Sequence, residues 1–382
     1  MLRTVAACAL LLLIGCKKSE PAVPGATPAA AAARIVGVVT DVGGRGDQSF
    51  NDSALRGLEA WAAAQQYQSG SYAPLSPEAR TATIPEALRA KVTPLSVKPL
   101  VLQSKSPEDY QPNLQLLVDQ RADLTVGVGF LLENAVEQVA KANPKSSFLL
   151  IDSPILDAQG QPAALPNVRT VVFREEEGSF LAGVLAGFAA KDTVGFVGGM
   201  EIPLIKKFEA GFRAGVKTAN PKVKVLVGYT GSFDNVAAGK QLAQDQLAKG
   251  AEVVFQAAGS DGLGAIQAVK EAKAAGKRVF AIGVDSDQAH LAPDAMLTSM
   301  VKRVDLAVYE AAKDLSEGKF TGGDRVMGLK EGGVSLAPVT LDFEGKAAAL
   351  ARVDALQALV AQGKVQVPAN LKALETFEPP AP

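Results

Sequence analysis

Cysteine and histidine are almost missing from this sequence: two and one, respectively, in 382 residues. Both cysteines, Cys8 and Cys16, fall ahead of any segment able to build a core. Beyond Cys16 the chain has no thiol for a disulfide, a thiolate metal site or a cysteine nucleophile. With His290 alone, a zinc site of two or three histidines is impossible and a serine–histidine–acid triad hangs on one residue. His290 stands in the polar stretch "DSDQAHLAPDA", which reads as a solvated loop rather than a seat for a general base. Net charge is lacking too. The 39 basic and 40 acidic residues leave −1, without the basic excess of a nucleic-acid-binding protein. After residue 20 no stretch reaches the roughly 18 uninterrupted apolar residues of a membrane span, so the body reads as soluble.

The first residues differ. "MLRTVAACALLLLIGC" has one cation, Arg3, then an apolar run from Val5 to Ile14, the length of a secretory h-region. Its end, Leu13-Ile14-Gly15-Cys16, resembles the lipobox of bacterial lipoproteins. Residues 1–15 are therefore expected to be a signal peptide, with Cys16 the acylated N-terminus that anchors the chain to a membrane. Residues 16–33 are rich in Pro, Ala and Gly and read as a tether of about 20–25 Å reach.

From Arg34 onwards apolar strand candidates alternate with helical segments. "RIVGVVT", "KPLVLQS", "DLTVGVG" and "SSFLLIDS" form one series. "VRTVVFR", "TVGFVGG", "KVKVLVGYTG", "AEVVFQAAG" and "RVFAIGVD" form a second. Such runs predict parallel sheets buried on both faces, hence an α/β fold of two doubly wound lobes. The expected division is 34–153 plus about 302–328 for the first lobe and 154–301 for the second, with 329–382 unassigned. Ser299–Lys302 is read as a return crossing. Residues 66–97, an extra helix-to-strand connection, are expected to project away from the ligand edge.

Asp41, Ser104, Gly129, Asp152, Gly259 and Asp285 all fall at or just after strand ends. Ligands of open parallel sheets bind outside those ends. Two sheets presenting them to one cleft give the architecture of type I periplasmic binding proteins. The turn "TDVGGRGDQSFN" is not G-x-G-x-x-G and has no GKS or GKT after it, so a phosphate cradle is disfavoured. Its carboxylates suit hydroxyl and amino groups instead.

Eight blocks in order extend the pattern: "VTDVGGRGDQSFN", "DLTVGVGF", "FREEEGSFLAGVLAG", "FEAGFRAG", "GSFDN", "FQAAGSDGLG", "IGVDSDQ" and "LTSMVKRVD". Together they resemble the basic membrane protein family of bacterial lipoproteins, which includes purine-nucleoside receptors of ABC importers. The resemblance implies that Phe50 and Phe208 sandwich a base, with Asp47 and Asn51 at its edge and Asp152 a further pocket residue. It implies that Gly259 admits the ligand close to backbone, that Asp285 accepts from the ribose hydroxyls and that Lys302 donates to a sugar oxygen.

Each residue also has a plainer reading. Phe208 falls on a helical stripe with Leu204 and Phe212. Asp41 and Ser49 complete the ligand candidates, yet Asp41 can cap the turn, Ser49 or Asn51 the helix, and Lys302 can be a solvated lysine. "EEEG" at 175–178 reads as a helix first turn rather than a metal site. The expected protein is a monomeric nucleoside-binding lipoprotein serving an ABC permease from outside the cytoplasm, without cofactor, metal or catalytic residue. The alternatives are a receptor for another neutral polyhydroxylated ligand feeding a sensor, and an extracytoplasmic nucleoside hydrolase.

Overall fold

The computed structural model describes residues 33–157 and 159–381. The expected signal peptide, the lipidated Cys16 and all but the last residue of the tether lie outside that range. β1 (Arg34–Thr40) leads through the glycine-rich turn into α1 (Phe50–Leu55), which continues as a π-helical segment, Arg56–Ala62. β2 (Gln65–Gln68) and β3 (Ser71–Pro74) then form a hairpin, followed by α2 (Pro77–Ala82). Ser69 and Gly70 close the hairpin with φ of 47° and 93°, as a two-residue turn between twisted strands requires.

β4 (Val97–Gln103), α3 (Tyr110–Asp119), β5 (Leu124–Val128), α4 (Glu133–Ala142), β6 (Ser147–Ile151) and β7 (Val168–Phe173) continue the first lobe. The chain then crosses into α5 (Glu175–Ala189), β8 (Thr193–Gly198), α6 (Pro203–Ala219) and β9 (Lys224–Tyr229). α7 (Val236–Ala248), β10 (Val253–Ala257), α8 (Asp261–Ala274), β11 (Phe280–Asp285) and β12 (Met296–Lys302) come next. Last come α9 (Val304–Ser316), β13 (Gly323–Met327), β14 (Val334–Leu336), α10 (Lys346–Ala361) and α11 (Leu371–Glu375).

The first sheet runs β13-β7-β6-β5-β1-β4, parallel throughout. The second runs β14-β12-β11-β10-β8-β9, with only β14 antiparallel. Each sheet is covered by helices, and β1, β5, β6, β8, β10 and β11 are buried along nearly their whole length. α5 and α6 approach so closely that a Cβ on Gly183 would stand 2.1 Å from the Phe212 carbonyl oxygen. That fit fixes the helix on which Phe208 rides.

Two expected boundaries are corrected. Residues 168–173 do not open the second lobe: they pair in parallel with β6, Phe148 opposite Val168. The proline-rich segment before them folds back on itself through a Leu156–Pro162 bridge instead of leaving the lobe. An apolar strand buried on both faces carries no mark of which sheet it joins. Residues 299–302 are likewise the end of β12 in the second sheet, and the return crossing starts at Arg303.

Three crossings thus lie side by side at Arg174, Arg303 and Gly328–Gly333. Arg174 N–H donates to Met327 C=O (3.1 Å) and Arg303 N–H to Gly333 C=O (2.8 Å). α9 packs on α1 and its π-helical extension, while α10 packs on α5 and α11 on α6, which places the C-terminal helices with the second sheet. The 66–97 segment does more than project. Its buried Arg80 donates to the carbonyls of Trp61 and Val92, and Ile84 and Val92 join the core.

Candidate functional site

Between the strand ends of the two sheets lies a cavity lined by residues of both lobes. Asp41, Asp47, Phe50, Asn51, Asp152, Phe208, Gly259, Asp285 and Lys302 all line it. Of the ten ligand candidates read from the sequence, Ser49 alone does not. Its hydroxyl instead donates to Asp285 Oδ2 across the cleft at 2.6 Å.

The glycine-rich turn spends most of its acceptors on itself. Asp47 receives the backbone N–H groups of Ser49, Asn51 and Asp52 and the Asn51 amide, at 2.7–3.0 Å. Asp52 receives those of Gly46 and Gln48. These bonds satisfy the donors that open α1. Asp41 Oδ1 takes Gly43 N–H (2.9 Å) and the Asn51 amide (2.8 Å). Burial raises the Asp41 carboxyl above its ordinary range, against the pull of these donors. Asn51 thereby has both amide protons engaged, while its buried Oδ1 has no partner within the protein.

Asp152 and Asp285 end β6 and β11 in the two lobes, and both are left-handed, with φ of 71° and 62°. Non-glycine residues hold that conformation at a cost, and such outliers gather at functional sites. Lys302, buried at the end of β12, joins them: its Nζ lies 2.5 Å from Asp152 Oδ2 and 3.3 Å from Glu175 Oε1. Burial opposes the charge on Lys302, but Asp152, Glu175 and Asp285 more than offset it and hold the ammonium protonated. Burial pushes Asp152 up to about 7, with Lys302 pulling it down and Glu175 and Asp285 pushing it further up. The buried Asp152 Oδ1 has no partner within the protein.

The aromatic rings converge on the same lysine. Lys302 Nζ is 5.0 Å from the Phe50 ring centroid and 5.6 Å from that of Phe208, with Phe173 at 5.3 Å. Phe130 and Phe233 were not singled out from the sequence, although both stand in the quoted blocks. They meet edge to face in the cavity lining, centroids 6.4 Å apart. Gly259 has φ of 56°, and a Cβ there would lie 3.2 Å from the Phe233 carbonyl oxygen. Gly43, Gly129, Leu204, Ile205, Ala257, Ser260 and Val284 complete the lining.

The lobes are stapled beside the cavity. Ser286 Oγ donates to Ser49 C=O (3.0 Å) and Gln288 Nε2 to Gln48 C=O (3.1 Å). His290 Nε2 shares a hydrogen bond with Gln48 Oε1 at 2.9 Å, so the lone histidine is a cross-lobe contact. Among the described residues no cluster of three or more His, Cys, Asp or Glu is arranged to hold a metal.

Comparison with known proteins fits this geometry. The family model described as "ABC transporter substrate-binding protein PnrA-like" matches residues 34–355. The chain belongs to the Bmp family. The Bmp protein of Lactococcus lactis named "ABC transporter nucleoside-binding protein BmpA" is 32% identical over 382 residues, covering 96% of this chain and 97% of its own. "Basic membrane protein A" of Borreliella burgdorferi is 34% identical over 283 residues, 73% of this chain and 80% of its own. The crystal structure of an ABC-transporter solute-binding protein from Aeropyrum pernix superposes with a TM-score of 0.73 at 28% identity, covering 90% of this chain and 96% of that one. This Bmp protein is accordingly an extracytoplasmic substrate-binding protein of an ABC transporter, with the two-lobed type I binding-protein fold.

Proposed function

We propose that the cavity receives a nucleoside, purine nucleosides foremost, and that this protein delivers it to an ABC permease as a monomer tethered to the membrane through lipidated Cys16. The observation that carries the reading is the cavity itself, whose lining brings Phe50 and Phe208 together with Asp41, Asn51, Asp152 and Asp285. Phe50 and Phe208 present ring faces to a heterocycle, each stack contributing about 1–3 kcal/mol. Asn51 Oδ1 and the outer oxygen of Asp41 are acceptors for the base edge. Asp285 has one oxygen on Ser49 and offers the other to vicinal hydroxyls, and Lys302 donates to a sugar oxygen. Asp47 lines the cavity but serves it by holding the turn.

Calorimetric titration with inosine, guanosine and adenosine and their 2′-deoxy forms tests the proposal. Micromolar or tighter binding with a preference for the ribo forms is expected. Phe50→Ala should lower affinity by about 1–3 kcal/mol for both sugars, because stacking does not sense the 2′-hydroxyl. Binding of free sugars but of no nucleoside would transfer the site to another polyhydroxylated ligand. Release of free hypoxanthine from inosine would make the protein a hydrolase.

A further inference from the structure

Glu175 is the first residue of α5 and stands at the first crossing between the lobes. A first-turn glutamate is ordinarily a solvated partner of the helix dipole. This one is fully buried. Its Oε1 lies 3.3 Å from Lys302 Nζ and its Oε2 3.2 Å from Lys207 Nζ. Lys207 also donates to the Phe173 carbonyl and immediately precedes Phe208 on α6. Lys302 makes its shortest contact with Asp152 of the first lobe. Asp152, Lys302, Glu175 and Lys207 therefore alternate in sign from one wall of the cavity to the helix that carries Phe208.

The contact between Glu175 and Lys302 is ionic: Oε1 has no hydrogen-bond partner. Glu175 supplies charge to the lysine rather than direction. Without it the buried ammonium would answer to the carboxylates on the cavity side alone, Asp152 and Asp285. A charge removed from a buried ionic group leaves its partners to rearrange.

We propose that Glu175 is a positioning residue of the ligand site, whose carboxylate balances Asp152 across Lys302 and keeps the ammonium within cation–π reach of the Phe50 and Phe208 rings. The ligand half of this idea rests on the nucleoside reading above. The placement of the lysine does not.

The test is built on that division. In the ligand-free protein, the Lys302 side-chain NMR signal, assigned with Lys302→Met, should be displaced from the other lysines by the ring currents of Phe50, Phe173 and Phe208. Glu175→Gln should move it, and Glu175→Asp, which keeps the charge one methylene further back, should move it less. Inosine affinity of Glu175→Gln should fall about 10- to 100-fold, as for a lost hydrogen bond to a charged group, while hypoxanthine, which lacks the sugar, binds as before. An unmoved signal in both variants overturns the proposal. So does an equal loss for inosine and hypoxanthine, which would mark Glu175 as a support of the fold. If the unaltered protein binds neither compound, the nucleoside reading fails while the NMR signal still decides the role of Glu175.

Discussion

Two turns meet across the cleft, Asp41–Asn51 from the first lobe and Val284–Gln288 from the second, and they use aspartate in opposite ways. Asp47 is saturated by four N–H donors of its own turn. Asp285 has one hydroxyl partner, supplied by the other lobe, and keeps a left-handed backbone. Both are buried acids beside the same cavity. The first builds the wall, while the second keeps its other oxygen out of the hydrogen bonds of the fold. A carboxylate's role follows from how many of its lone pairs the fold has already taken.

The sharpest way to break this contrast is to remove each acid. Asp47→Ala should cost about 3 kcal/mol of stability, because several buried N–H groups lose their acceptor, and urea unfolding measures it. Whatever folded protein remains should keep its ribose preference. Asp285→Ala should do the reverse, lowering nucleoside affinity by about 2–3 kcal/mol with little change in the unfolding midpoint. It should also erase the preference for ribose over deoxyribose. Should Asp47→Ala abolish that preference and Asp285→Ala leave it, the roles assigned to the two turns are reversed.

Acidification makes a gentler version of the same cut. Burial raises the Asp285 carboxyl above the ordinary 3.8, with Lys302 and Ser49 opposing and Glu175 reinforcing. It therefore takes up its proton at a higher pH than a free aspartate, and the protonated form accepts poorly. The ribose-dependent part of the affinity should fade as pH is lowered, beginning above 3.8. Titrations of inosine and 2′-deoxyinosine across the acid range should show the two affinities converging, and Asp285→Asn should show no such convergence. Folding runs with the opposite sign: the raised value means that the contribution of this group to stability is present at low pH and is lost as pH rises through it.

The smallest effect is expected behind the first turn. Arg45, at its tip, pairs with Glu59 at 2.6 Å and lies 4.4 Å from the Tyr67 ring of the β2–β3 hairpin, while Tyr72 donates to Glu59 at 2.7 Å. Tyr67→Ala should cost about 0.5–1 kcal/mol in thermal or urea unfolding, the range of an exposed cation–π contact. Nucleoside affinity should change by a few-fold at most. A large loss of affinity would put the hairpin among the determinants of the site.

Much of this was legible in the residues. Strands buried on both faces announce themselves as apolar runs, and their ends point to the cavity: Asp41, Gly129, Asp152, Gly259 and Asp285 line it, while Ser104, marked by the same rule, does not. Sheet membership could not, because β7 looks like any other buried strand. Nor could the partner of Ser49, which lies 236 residues away. Asp47 and Asp285 look alike as letters, and only the folded turn separates them. Glu175 read as an ordinary helix start because nothing local shows that its first turn is buried against Lys302. The hairpin had a signal, Ser69-Gly70 between two tyrosine-bearing strands, but the segment looked like loose polar sequence.

The three crossings also set the order in which the molecule can be completed. The first sheet needs β13, from residues 323–327, to cover β7, and buried Arg169 on β7 waits for Asp314 and the carbonyl of Thr321. The second sheet takes its last strand from residues 334–336. Neither lobe is one continuous stretch of chain, so a fragment ending at residue 173 would leave five strands of the first sheet without α9 or β13. Contacts so distant in sequence slow folding, because long loops must close before they are rewarded. Both halves of this protein stay unfinished until nearly the whole chain is available.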